Sequence, residues 1–158
     1  MTIVEFIEAR IAEDEQIAQS AIDPERPGTH WCWEDGKRDP LQPGNEPEEL
    51  DTQAISLRTV EEYPTRSVGP LPAFILCQVE ARLPGGLWHI ARHDPERVLR
   101  QCAAMRNVVK QYRLLCPRQF NWPEGMLETL ELNIRSLASI WSDHPDYREE
   151  EWRVDAES

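Results

Sequence analysis

The 158-residue chain carries 17 Lys and Arg against 29 Asp and Glu, a formal net charge of −12. A chain of this length buries a core as one domain without metal or disulfide staples, and this charge repels phosphate backbones, which argues against direct nucleic-acid binding. The composition, 40% hydrophobic and 29% charged, is that of a soluble globular protein, while 13 prolines, most of them before residue 90, concentrate irregular structure in the first half.

The first element is specified at its start. Thr2 caps the opening turn and Glu5, three residues on, closes a capping box. Ile3, Phe6, Ile7, Ile11, Ile17, Ala18 and Ala21 then gather on one side, which predicts an amphipathic helix over 1–22 that stops before Asp23-Pro24. From 24 to 85 the punctuation is dense ("DPERPGTH", "EDGKRDPLQPGNEPEE", "PTRSVGPLP"), and the segment reads as a loop-rich sheet region. Three strands are expected inside it. "HWCW" places Trp31 and Trp33 on one face, "AISLRTV" does the same for Ile55, Leu57 and Thr59, and "AFILCQVEA" is a short apolar run bounded by prolines and "PGG".

The character becomes helical over 86–142. Asp94-Pro95 is a strong helix start, a carboxylate cap followed by proline at the first helical position. Val98, Cys102, Met105, Val109, Tyr112 and Cys116, flanked by Leu99, Val108 and Leu115, repeat at steps of three and four and set a helix from 95 to 115. A second long helix begins near Pro123, with Leu127, Leu130, Ile134, Leu137 and Trp141 as its stripe. The short connection favours an antiparallel helical hairpin. Residues 143–158 read as a polar tail that frays. The fold class is therefore α+β in a single domain over 1–158: N-terminal amphipathic helix, small antiparallel sheet, C-terminal antiparallel helical hairpin.

Cys32, Cys77, Cys102 and Cys116 form no CxxC pair, and neither a signal peptide nor a membrane-length apolar run is present, so the expected location is cytoplasmic, with reduced thiols and no membrane association. There is no GxSxG elbow and no Gly-rich phosphate loop, and Lys37 and Lys110 are the only lysines.

The densest chemistry lies in "GLWHIARHDPERVLRQ". His89 and His93 are four apart, so on a helical turn both imidazoles leave one face, a spacing that can hold zinc or manganese. Ile90, Ala91 and Arg92 lie between them, so the general base of an HExxH site is missing. Further ligands would have to come from Asp94, or from His144, Asp143 or Asp146 of "SDHPDY", if hairpin packing brings those ends together. The stronger reading is structural: Asp94 caps the helix, His93 bonds a backbone carbonyl, and His89 packs beside Trp88 or a sheet aromatic. Arg92 and Arg97, with Arg100 and Arg106, form a basic island at a helix N-terminus, suited to an anion. Salt bridges to neighbouring acids explain them more simply. Trp31 and Trp33 are expected in sheet-to-helix packing, with an exposed Trp31, Trp33 or Trp152 as the alternative, a binding face.

"VEFIEARIAEDEQIA", "HIARHDPERVLRQCAAMRNVV" and "DHPDYREEEW" together resemble a family of small uncharacterised proteins from actinobacteria and their phages, known only as a domain of unknown function. The order and spacing match along most of the chain, and the region 34–87 departs in length and content. The resemblance implies an intracellular protein in an actinobacterial or actinophage setting and brings no activity with it. The expected function is that of a small acidic accessory protein that binds a host protein, without cofactor. The alternative is a metal-dependent hydrolase or nuclease centred on His89, His93 and an acid of 143–147, using zinc or manganese.

Overall fold

The computed structural model describes residues 1–22, 25, 28–34, 56–64, 69–72, 75–78, 89–116, 122–123 and 125–154. The fold is mixed helix and sheet. Helix α1 is Ile3–Ser20; strands β1 to β5 are Trp31–Glu34, Ser56–Thr59, Glu62–Tyr63, Leu71–Pro72 and Ile75–Gln78. Helix α2 is Pro95–Leu115, preceded by a helical turn at 89–92, α3 is Met126–Ala138, continued by a 3₁₀ turn Ser139–Trp141, and α4 is Glu149–Trp152. The chain divides into two compact units, Met1–Gln16 with Arg100–Ser158, and Ile17–Leu99.

The helical unit begins where the sequence places it. The Thr2 amide donates to Glu5 Oε2 at 2.7 Å and the Glu5 amide donates to Thr2 Oγ1 at 3.2 Å, the reciprocal pair of a capping box. The backbone bond from Thr2 and its hydroxyl hold the Glu5 carboxyl below its ordinary value. Phe6, Ile7 and Ile11 are fully buried. The next positions of that stripe are Asp14 and Ala18; Asp14 Oδ2 accepts the Trp141 indole N–H at 3.2 Å. Ile17, expected on the apolar side, is instead 63% exposed, because one residue before Ala18 lies about 100° around the helix from the buried stripe.

Helix α2 occupies its predicted span, with Cys102 and Val109 buried and Met105, Tyr112 and Cys116 half-buried. Helix α3 starts later than Pro123, because Gly125 has φ +82°, a left-handed conformation that cannot belong to the helix. Ile134 and Ala138 supply its buried face. Ion pairs brace α2 against α1: Arg106 reaches Glu15 with Nε at 2.9 Å and Nη2 at 2.5 Å, and Arg113 Nη1 lies 2.7 Å from Glu8.

The end of the chain departs from expectation. Residues 143–154 do not form a solvated tail. Tyr147 and Trp152 pack on Phe6, with ring centroids 6.0 and 5.0 Å away, and the His144 ring meets Phe6 edge-on at 5.8 Å. Trp152 is 5% exposed, while the guanidinium of Arg148 covers its other side. The acids of "REEEW" occupy the outward positions of a short helix whose aromatic residue is core; the tail reading counted the charges and missed that phase. Residues 155–158 lie outside the described residues.

In the second unit, β1, β2 and β5 make an antiparallel sheet in that order, with β2 central. Trp31 pairs with Thr59 and Trp33 with Leu57 across β1 and β2, and Leu57 pairs with Cys77 on β5 before a register shift at Arg58. All four residues of β2 are buried, as a central strand covered on both faces requires. Strands β3 and β4 form a separate two-stranded antiparallel ladder. The three predicted strands thus exist; Ile55, Ala73 and Phe74 lie outside the described residues.

Trp152→Ala should destabilise the protein by about 3–5 kcal/mol in urea denaturation, the cost of removing a large aromatic from a packed core. A fraying tail would instead give a change within about 0.5 kcal/mol.

Candidate functional site

His89 and His93 lie on the turn preceding α2, both exposed, their rings 4.3 Å apart at 42°. The His93 Nδ1–H donates to the His89 carbonyl at 2.8 Å, which fixes that ring as a cap on the turn. Asp94 Oδ1 accepts the Arg97 amide at 2.7 Å, an N-cap bond, and Pro95 follows, buried, at the first helical position. Trp88 lies outside the described residues. Arg92 is exposed and Arg97 half-buried beside this helix start.

His144 and Asp146 belong to the other unit. Both ring nitrogens of His144 face partners: Nε2 meets the Arg10 guanidinium, and Nδ1 lies 3.1 Å from the Asp146 amide and 4.0 Å from its carboxylate. Arg10 also pairs with Glu13 at 3.1 Å and lies over the Phe6 ring. His144 is therefore a wedge between α1 and the last segment. Among the described residues no three His, Cys, Asp or Glu side chains are grouped so as to hold a metal ion.

The two tryptophans separate. Trp33 is 1% exposed and is a core residue, so it offers no binding surface; it stands opposite the buried Leu57 across β1 and β2. Trp31 is half-buried, with its Nε1 enclosed and without a hydrogen-bond partner among the described residues. Cys102 is buried, and burial pushes its thiol above the ordinary value, so it behaves as a small apolar side chain.

Two features escaped the sequence reading. The first is a cluster around His30, at the start of β1. Glu61, in the turn after β2, accepts the Thr29 and His30 amides and the Thr29 hydroxyl, each at 3.1 Å, and lies 2.8 Å from His30 Nδ1. On the other side of the ring, Nε2 lies 2.5 Å from Glu96 of the first turn of α2. The Glu96 amide itself donates to the Thr29 carbonyl at 3.4 Å. Partial burial alone would raise the Glu61 carboxyl, but the bonds from His30 and the backbone amides override it and pull it down to about 2. The hydrogen bond to Glu61 raises the His30 pKa, burial opposes it, and the charges of Glu96, Glu61 and Asp94 add to the rise. In sequence this cluster is three acids and a histidine spread from 30 to 96; the β1–β2 pairing brings Glu61 to His30, and the docking of the α2 start on Thr29 and His30 brings the others.

The second is a groove of about 260 Å³ between α2 and α3, lined by Val108, Tyr112, Leu130 and Ile134 with Asn107, Gln111 and Asn133. Val108 is 43% exposed. No described lining residue is charged, although charged residues are 29% of the chain. Burial and a hydrogen bond to Cys116 push the Tyr112 phenol up to about 12, so this wall stays neutral at physiological pH.

These observations define an α+β protein in which His30 and His144 fasten neighbouring segments and an apolar groove lies between α2 and α3. The chain belongs to the family of unknown function DUF6221, whose model matches residues 1–154. No curated protein and no solved structure matches it.

The capping geometry has a direct test. Asp94→Asn keeps an oxygen for the Arg97 amide and should leave the unfolding free energy nearly unchanged, whereas Asp94→Ala should lose about 1 kcal/mol. Equal, large losses from both in chemical denaturation would show that the site needs charge.

Proposed function

We propose that the protein is a small acidic accessory factor of an actinobacterial cell, host- or phage-encoded, that acts without catalysis by binding another protein through the α2–α3 groove. The observation that carries this reading is the absence of charge among the described residues lining the groove, in a chain of net charge −12. A concave strip of Val, Tyr, Leu and Ile edged by amide side chains is the surface into which a partner helix lays an apolar face, with the amides meeting its backbone or polar flank. Apolar contact of this kind is insensitive to ionic strength, whereas a contact made by the acidic surface as a nucleic-acid mimic would be screened.

The test is capture from an actinobacterial lysate at low and high salt with the wild-type chain and with Val108→Lys, a substitution at a half-exposed position that leaves the core intact. The expected result is one stoichiometric protein that is retained at high salt and reduced at least about tenfold by Val108→Lys, the equivalent of 1.4 kcal/mol. A partner lost at high salt and indifferent to Val108→Lys would move the contact to the acidic surface.

A further inference from the structure

The two carboxylates on His30 set a requirement on its protonation that follows from hydrogen-bond chemistry alone. Glu61 and Glu96, when ionised, are acceptors only, and a neutral imidazole has a single N–H. His30 Nδ1 lies 2.8 Å from Glu61 and Nε2 lies 2.5 Å from Glu96, so the doubly bridged arrangement needs both ring nitrogens to donate. The ring is therefore an imidazolium in this conformation. It is also reachable by solvent, with 49% of its side chain exposed, so its proton exchanges with bulk water.

The two bridges are unequal. Glu61 is fixed independently of the ring by the Thr29 and His30 amides and by the Thr29 hydroxyl. Glu96 is held towards the sheet by the ring, by a Thr29 hydroxyl at 3.3 Å whose one proton it shares with Glu61, and by its own amide on the Thr29 carbonyl at 3.4 Å. When the ring loses a proton, the remaining N–H stays with the better fixed acceptor. Nε2 then presents a lone pair to the Glu96 carboxylate, and that contact turns from attraction to repulsion.

We propose that His30 is a proton-operated clasp: charged, it ties the first turn of α2 to the start of β1 and the β2–β3 turn; neutral, it keeps its bond to Glu61 and gives up its own bond to Glu96. Among the described residues the charged groups acting on the ring are Glu61, Glu96 and Asp94, all acidic, and all favour the proton, against partial burial. The direction in pH follows. A histidine whose folded value is raised contributes stability that is fully present below its unfolded value, ordinarily 6.5, and is lost as pH rises through the higher folded value. Glu61, drawn down to about 2 from an ordinary 4.5, contributes stability that is present above 4.5 and lost as pH falls towards 2. The clasp is thus tightest between 4.5 and 6.5 and opens as pH rises through the raised His30 value.

The experiment is an NMR titration of the intact protein, following the His30 ring nitrogens and the hydrogen exchange of the Glu96 amide, corrected for intrinsic rates. His30→Gln, which keeps a donor for Glu61 but cannot titrate, is the comparison. Expected are a His30 midpoint above 6.5, both ring nitrogens protonated below it, and a Glu96 amide whose protection falls through the same midpoint in wild type only. The wild-type melting midpoint should also drop by about 2–4 °C more than that of His30→Gln between about pH 6 and pH 9. A midpoint at or below 6.5, or Glu96 protection that does not follow the titration, overturns the clasp. The ring signals come from the wild-type chain, so the test stands even if the variant folds poorly.

Discussion

Phe6 is the side chain on which the helical unit closes. It sits one turn into α1, is fully buried, and is covered by His144, Tyr147 and Trp152 from the last fifteen residues of the described chain, with Arg10 over its ring. A helix as acidic as α1 has little independent stability in water and is held by burial of its apolar stripe. The aromatic cluster supplies that burial at one end and the Arg106–Glu15 and Arg113–Glu8 pairs reinforce its flank. The ion pairs are partly exposed and individually weak. The ring packing decides, and the pairs fix orientation.

A surplus of carboxylates makes each cation a fastening point. Arg10 engages His144 and Glu13, Arg58 approaches Glu62 at 3.5 Å, Arg106 and Arg113 tie α2 to α1, and His30 holds two acids at once. Self-repulsion at −12 favours expansion, and cross-element pairs counter it where two acidic segments must approach. The same logic accounts for the basic island read from the sequence. Arg106, one of that island, pairs with Glu15 of α1, an acid distant in sequence and brought near by packing.

What was legible in the sequence was what local chemistry encodes. Thr2 and Glu5, Asp94 and Pro95, and the stripe through Cys102 and Val109 announced helix starts and a buried face without reference to anything distant. The three strands showed themselves as short apolar runs between breakers. The failures share a cause. Ile17 was assigned by hydrophobicity and not by phase, "REEEW" by its charges and not by its tryptophan, and His30 was passed over because its partners lie 31 and 66 residues away. Each of these depends on which segments meet, and no periodicity in a single stretch carries that information.

The stretch "HIARHDPERV" looked like a site because it concentrates polar and titratable groups, yet the structure gives most of them a task in starting α2. His93 closes the preceding turn on the His89 carbonyl, Asp94 caps, Pro95 is buried at the first position, and Glu96 joins the sheet through Thr29 and His30. A catalytic carboxylate or imidazole must keep lone pairs or protons available for substrate, whereas Nδ1 of His93, Oδ1 of Asp94 and the carboxylate of Glu96 are engaged within the chain. A helix entered by so many side-chain bonds is one whose first turn must be held against α2's 21-residue length and against an acidic surround. Polar density in a sequence is therefore an ambiguous sign: it marks either a place where substrate will complete the bonding or a place where the fold has already completed it. The groove between α2 and α3 is the converse case, silent in composition because its seven residues are unremarkable one by one, and conspicuous only when two helices set an uncharged strip in an acidic surface.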